Sequence, residues 1–165
     1  MGFLFLQIHT FATTTNKRMR NILIIGAGRS ASSLIKYLLE KSTQENLHIT
    51  IGDLSLELAQ RKTDNHPNAK PIALDINNVE QRQSEIQKAD IVISMLPAHM
   101  HIDVAKDCVK FKKNMVTASY ISDAMQALDE EVKANSLVFM NEIGLDPGID
   151  HMSAMKVIDE IRSKG

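Results

Sequence analysis

The chain has 165 residues, 44% of them apolar and 24% charged, with 19 basic against 20 acidic side chains and a formal charge of −1. That length holds one domain with a real core, and so even a charge excludes the basic footprint of a nucleic-acid or membrane surface. The single cysteine, Cys108, cannot close an internal disulfide, so it reads as plain packing in a helix of a cytoplasmic, reducing-compartment protein.

The first eighteen residues stand apart. Gly2 to His9 is apolar but too short to span a bilayer, and no basic residue precedes it as in a signal peptide. Thr13 to Arg18 has no structural period. Residues 1–18 therefore read as an unstructured or mis-started extension, with a transit-like leader as the alternative, and residues 19–165 as the domain.

From Met19 onward, short apolar runs alternate with helix-period segments. Asn21 to Ile25 is a β-branched strand that ends in a glycine turn. Ser32 to Lys41 follows as a helix with Leu34, Ile35, Leu38 and Leu39 on one stripe. Leu47 to Ile51 is the second strand, ending at Gly52-Asp53, before a helix that turns Leu54, Leu58 and Ala59 inward. Ala69 to Ala73 is a short third strand and Val79 to Lys88 a helix. Ile91 to Ile93 is a buried strand ending at Ser94, and His101 to Lys110 a helix. Asn114 to Ala118 is the fifth strand, Ser122 to Ala134 a helix, and Leu137 to Met140 the sixth strand. The last helix runs from Ile149 to about Arg162, with Ile149, Met152, Val157, Ile158 and Ile161 as inner positions. Strands and helices alternating through short links require right-handed crossovers. The expected fold is α/β: a doubly wound parallel sheet of the Rossmann dinucleotide-binding type.

Gly26-x-Gly28-x-x-Ala31 lies between a strand and a helix, the context that a dinucleotide fingerprint needs. Gly26 permits the tight turn, Gly28 lets a pyrophosphate approach, and Ala31 lets the helix pack close. Arg29 and Ser30 complete the expected cofactor contacts, aided by the amides and dipole of the helix start. Asp53 closes the second strand, where a carboxylate accepts ribose hydroxyls and repels a 2′-phosphate. Leu54 and Ser55 follow it, and Arg61 and Lys62 lie about two helical turns further on, so the residues favour NAD over NADP. A helix N-cap is the plainer alternative for Asp53.

Ser94-Met95-Leu96-Pro97 ends the fourth strand and is placed to flank the nicotinamide, with Ser94 as a donor and Pro97 fixing the turn. His99 and His101 lack a third ligand at metal spacing, so no metal is expected, and they read as helix-start or solvent-facing residues. Thr117 to Met125 forms a pocket wall in which Ser122 serves as a helix cap, a substrate contact, or both. Asn141 to His151 packs two glycines, a proline and several ionisable groups into one turn, which suits a backbone passing close to a ligand.

On Ser94 to Pro97, Lys113 to Ser122 and above all Asn141 to His151, the chain resembles the saccharopine dehydrogenase (saccharopine reductase) family from Met19 to its end. The resemblance implies hydride transfer between nicotinamide and an imine carbon, joining or splitting saccharopine in lysine metabolism. It implies that Gly26, Gly28 and Ala31 hold the pyrophosphate, that Asp53 holds the adenosine ribose, and that Ser94, Leu96 and Pro97 border the nicotinamide ribose. Gly144 to Asp150 would support the nicotinamide, and Ser122 and Asp123 would face the amino-acid substrate; no catalytic residue is assigned. A homodimer is compatible with it. Two departures stand out: many relatives use NADP(H), and the family's second, substrate-holding domain has no counterpart here, as if the chain were truncated. An imine reductase of polyamine synthesis and a stand-alone NAD-binding redox sensor are the alternatives.

Overall fold

Ile22, Leu23, Ile24 and Ile25 are all buried because β1 (Arg20–Ile25) runs down the middle of a parallel sheet. The computed structural model describes residues 18–164, so the expected N-terminal extension lies outside the described residues except for Arg18. The other strands are β2 (Leu47–Asp53), β3 (Ala69–Ala73), β4 (Ile91–Ser94), β5 (Asn114–Thr117) and β6 (Phe139–Met140). Their order is β3-β2-β1-β4-β5-β6, and every pairing is parallel. The strand order reverses at β1 and β4, the switch point where ligands bind in doubly wound sheets.

The helices are α1 (Ser32–Glu45), α2 (Leu56–Thr63), α3 (Val79–Lys88), α4 (His101–Lys110), α5 (Asp123–Gln126), α6 (Asp129–Ala134) and α7 (Ile149–Ser163). Those from α1 to α6 cover the sheet and divide the core in two. Ile35, Leu39 and Ala59 meet Ile24, Ile49 and Ile51 on one face. Ile86, Val104 and Cys108 meet Leu23, Val92 and Met115 on the other. Beneath the second face, Arg82 Nε donates to Asp107 Oδ2 at 2.6 Å and its Nη1 to the Ile76 carbonyl at 2.6 Å, fixing α3 against α4. Among the described residues no helix is long and apolar enough to cross a membrane.

Most boundaries agree with the sequence, and the differences have local causes. A 3₁₀ turn (Arg29–Ala31) precedes α1, which runs a turn past Lys41 and stops where Asn46 takes a left-handed φ of 54°. Leu54 is exposed rather than inward, because Ser55 caps α2 by accepting the Leu58 N–H and the helix starts after it. The helix expected over Ser122 to Ala134 is broken: the Leu128 N–H reaches back three residues to the Met125 carbonyl, and α6 restarts beyond it. β6 begins two residues late, since the Leu137 N–H closes α6 on the Val132 carbonyl and the Val138 N–H goes to the Asn114 side chain. The largest departure is α7. None of its residues is buried, and Ile149, Met152, Val157, Ile158 and Ile161, expected inside, are 39–67% exposed.

Candidate functional site

The two glycines of the β1 turn are glycine for different reasons. Gly26 has φ +102°, and a Cβ there would stand 2.7 Å from the Met95 carbonyl oxygen. The protein's own backbone therefore requires it. Gly28 has φ −63°, which any residue adopts, and a Cβ there would meet no protein atom within 4 Å. Nothing in the chain requires that glycine; the exposed space in front of it is empty of protein. Arg29 and Ser30 are exposed beside it, while Ala31 is fully buried against the sheet.

Asp53, half-buried at the end of β2, braces this turn. Its Oδ2 accepts the Ala27 N–H at 2.8 Å and its Oδ1 the Ser55 N–H at 3.0 Å. The N-cap of α2 is Ser55, so Asp53 does not have the capping role offered as its alternative. Lys62 is not as remote as its sequence separation implies. The packing of α2 on α1 brings its Nζ to 2.6 Å from Ser32 Oγ, in the first turn after the glycines.

Two hollows flank the turn. One, of about 210 Å³, is lined by Gly26, Asp53, Leu54, Ile76, Leu96 and Met100. The other, of about 260 Å³, is lined by residues including Ser30, Ser94, Leu96, Thr117, Tyr120 and Pro147. Ser30 of the glycine turn, Ser94 and Leu96 of the β4 loop, and the Asn141–His151 turn through Asp146 and Pro147 are thus brought together. Pro97 is exposed and starts a 3₁₀ turn (Ala98–Met100) outside that lining. Larger hollows of about 620 and 740 Å³ lie elsewhere, beside β6 and beside α2 and β3, away from the glycine turn.

The sequence reading missed His101. It starts α4 as expected, but it is 4% exposed, not solvent-facing. Its Nδ1 lies 2.8 Å from Ser94 Oγ and its Nε2 3.4 Å from Thr117 Oγ1. Burial, with a smaller effect from nearby His99, lowers its pKa below the ordinary 6.5, so the ring is neutral at pH 7. Its spacing from His99 drew attention to metals and hid this role. Among the described residues no three His, Cys, Asp or Glu side chains gather as a metal site. Cys108 is buried, and burial pushes its thiol up to about 12, as befits packing rather than reactivity.

The glycines of the later turn serve the turn itself. Gly148 has φ +145°, and a Cβ on it would lie 2.2 Å from the Gly144 carbonyl oxygen; one on Gly144 would lie 2.8 Å from Ala118 Cβ. Gly148 is held to glycine by the Gly144 backbone, and Gly144 by the close approach of the Ala118 side chain. The turn is tied to the β5 loop by Tyr120 Oη donating to Asp146 Oδ1 at 2.8 Å and by the Ile121 N–H donating to Glu142 Oε1 at 3.0 Å. The Asp146 hydrogen bond raises the Tyr120 pKa. Ser122 Oγ accepts the Met125 N–H at 3.2 Å, so it is a helix cap, and neither it nor exposed Asp123 lines the hollow beside Ser94.

Residues 22–140 match the family of the saccharopine dehydrogenase NADP binding domain. A saccharopine dehydrogenase (NADP⁺, L-glutamate-forming) of Pyricularia oryzae is 36% identical over 146 residues, 88% of this chain and 32% of that protein. The mitochondrial alpha-aminoadipic semialdehyde synthase of Mus musculus is 36% identical over 160 residues, 96% of this chain and 16% of that protein. The solved saccharopine dehydrogenase (L-Glu forming) of Saccharomyces cerevisiae superposes with a TM-score of 0.77 at 35% identity, over 87% of this chain and 32% of that one. The chain thus spans about a third or less of the length of these relatives. A 3-ketoreductase of Actinomadura kijaniata, solved with NADP, shares the fold at 16% identity and a TM-score of 0.64.

Proposed function

The chain belongs to the saccharopine dehydrogenase family, through its NADP-binding domain, and from that premise we propose how its residues serve the reaction. The domain holds a nicotinamide dinucleotide across the carboxyl ends of β2, β1 and β4. It serves an oxidoreductase that moves hydride between nicotinamide and the imine carbon of a saccharopine-type amino-acid adduct in lysine metabolism. The bound nicotinamide supplies the hydride acceptor or donor; the protein supplies position.

Gly28, Arg29 and Ser30 line the path of the pyrophosphate, with Gly26 and Ala31 shaping the turn. Asp53 faces the adenosine ribose, and Ser94, Leu96 and Pro97 border the nicotinamide end. Gly144 keeps the later turn against β5, and Ser122 and Asp123 are the substrate contacts of the β5 loop. Asp53 favours NADH over NADPH by repelling a 2′-phosphate, a preference that Lys62 works against. A single cysteine and a near-even charge balance are in keeping with work in the cytoplasm.

The observation that carries this reading is Gly28. A glycine without a backbone or packing requirement, facing empty space before a helix start, is explained by a phosphate that must come close. Titration of nicotinamide fluorescence tests it. Gly28→Val fits the local backbone and open space, so the protein should keep its melting temperature. Its NADH affinity should fall at least about tenfold, the equivalent of roughly 1.4 kcal/mol. Unchanged affinity in a folded Gly28→Val protein would overturn the proposal.

A further inference from the structure

Ser94 and Thr117 are partners in register at the carboxyl ends of adjacent strands β4 and β5. Their side chains therefore leave the sheet on the same face. The His101 ring bridges them, with one nitrogen to each hydroxyl. All three residues are at most 4% exposed, and all three line the 260 Å³ hollow.

The protons of this triad do not balance internally. A neutral imidazole has one N–H and one bare nitrogen, and each hydroxyl brings one proton. If Nδ1 carries the hydrogen, it donates to Ser94 Oγ, Nε2 accepts from Thr117, and the Ser94 proton is left over. If Nε2 carries it, the roles reverse and the Thr117 proton is left over. Either tautomer leaves one hydroxyl donor for an acceptor outside the triad. The Ser119 N–H donates to Thr117 Oγ1 at 3.3 Å, so that neighbour contributes another donor and no acceptor.

We propose that His101 is a positioning residue for the nicotinamide ring. By bonding Ser94 and Thr117 together it holds the remaining hydroxyl donor at the wall of the hollow, where it meets the carboxamide oxygen. This rests on the dinucleotide reading above. Without the ring, both hydroxyls turn to each other or to nearby carbonyls, and the donor no longer has a fixed direction. The neutral state of His101 at pH 7 keeps the donor count at one.

The experiment compares two ligands that differ by the nicotinamide ring, NADH and ADP-ribose, on the wild-type chain and on His101→Phe, His101→Asn and Ser94→Ala. A neutral hydrogen bond of roughly 0.5–1.5 kcal/mol predicts that His101→Phe weakens NADH by about three- to tenfold. ADP-ribose should bind the wild-type chain and both His101 variants alike, and Ser94→Ala should lose less affinity for it than for NADH. His101→Asn, whose amide can stand in for Nδ1 beside Ser94, should recover most of the NADH affinity. Ser94→Ala should lose that affinity in either tautomer, by removing the free donor itself or the bond that orients the ring toward Thr117. Should His101→Phe fail to fold, Ser94→Ala carries the comparison, since it keeps the ring and removes the hydroxyl. Equal losses for both ligands would mean a merely structural histidine and overturn the proposal. So would NADH affinities unchanged in every variant. A wild-type chain that binds neither ligand overturns the dinucleotide reading itself, a result separate from one in which it binds both and only the variants fail to discriminate.

Discussion

At the residue scale Asp53 braces the glycine turn and, in the proposed site, also faces the ribose. Each of its oxygens already accepts a backbone N–H, from Ala27 and from Ser55, which leaves about two of roughly four lone-pair sites for ligand hydroxyls. Asp53→Ser should therefore weaken NADH twice over, by loosening the glycine turn and by removing ribose acceptors. Because the repulsive charge goes too, the preference for NADH over NADPH should narrow by about tenfold or reverse. Competitive titration with both nucleotides measures it, and NADPH as the tighter ligand of the unmodified chain sinks the NAD preference. His101 supplies a second prediction, through pH. Its folded pKa is lowered and its unfolded value is near 6.5, so between the two the unfolded chain binds more protons and stability rises with pH. Its contribution is level above pH 6.5 and declines as pH falls below that value. Melting temperatures from pH 7 to about pH 5 should fall less steeply in His101→Asn, which cannot take up that proton. Parallel curves for the two proteins would mean that His101 titrates normally in the fold.

At the scale of elements, an apolar period reports what a helix face is suited to meet and not what meets it. The stripe of α1 and the apolar period of α7 are both readable in the sequence. Ile35 is 1% exposed in one and Ile161 67% exposed in the other. Ile35→Ala should thus cost about 2–5 kcal/mol and lower the melting temperature by many degrees. A double change of Ile158 and Ile161 to Ser should leave the melting temperature almost unmoved and reduce self-association seen by light scattering, since exposed apolar patches drive it. A large destabilisation from the α7 pair would mean that this helix is packed in solution. The same contrast explains what was legible. Strands β1 and β4 announce themselves because buried parallel strands are continuous apolar runs. The break at Leu128 and the exposure of Leu54 depend on individual N–H partners, which no period encodes. The glycine turn and Asp53 were readable as a local motif. His101 was not, because its role arises from the register of Ser94 with Thr117, a relation between strands.

At the scale of the molecule, the distribution of charge decides which ligand the site can hold unaided. The hollow beside Ser94 is lined by hydroxyls from Ser30, Ser94, Thr117, Ser119 and Tyr120, a neutral His101 and the carboxylate of Asp146. No lysine or arginine is among its lining residues. A dinucleotide suits this arrangement, since in the proposed site its pyrophosphate would meet the glycine turn beside Arg29 and its nicotinamide end asks only for neutral donors. Saccharopine does not. It carries several carboxylates, and beside Asp146 they would meet repulsion rather than pairing. Hydride transfer also needs the imine carbon held at roughly 3–3.5 Å from the nicotinamide, and a ligand without charge partners is not held that closely. The 165-residue chain should therefore bind NADH and yet turn over saccharopine with NAD or NADP too slowly to detect. Nicotinamide absorbance followed in a mixture of the purified chain, saccharopine and either nucleotide provides the measurement, with NADH titration as the control for a competent fold. Robust turnover would mean that these hydroxyls and backbone groups orient a polyanion without a single cationic side chain in the hollow, and the charge argument would fall.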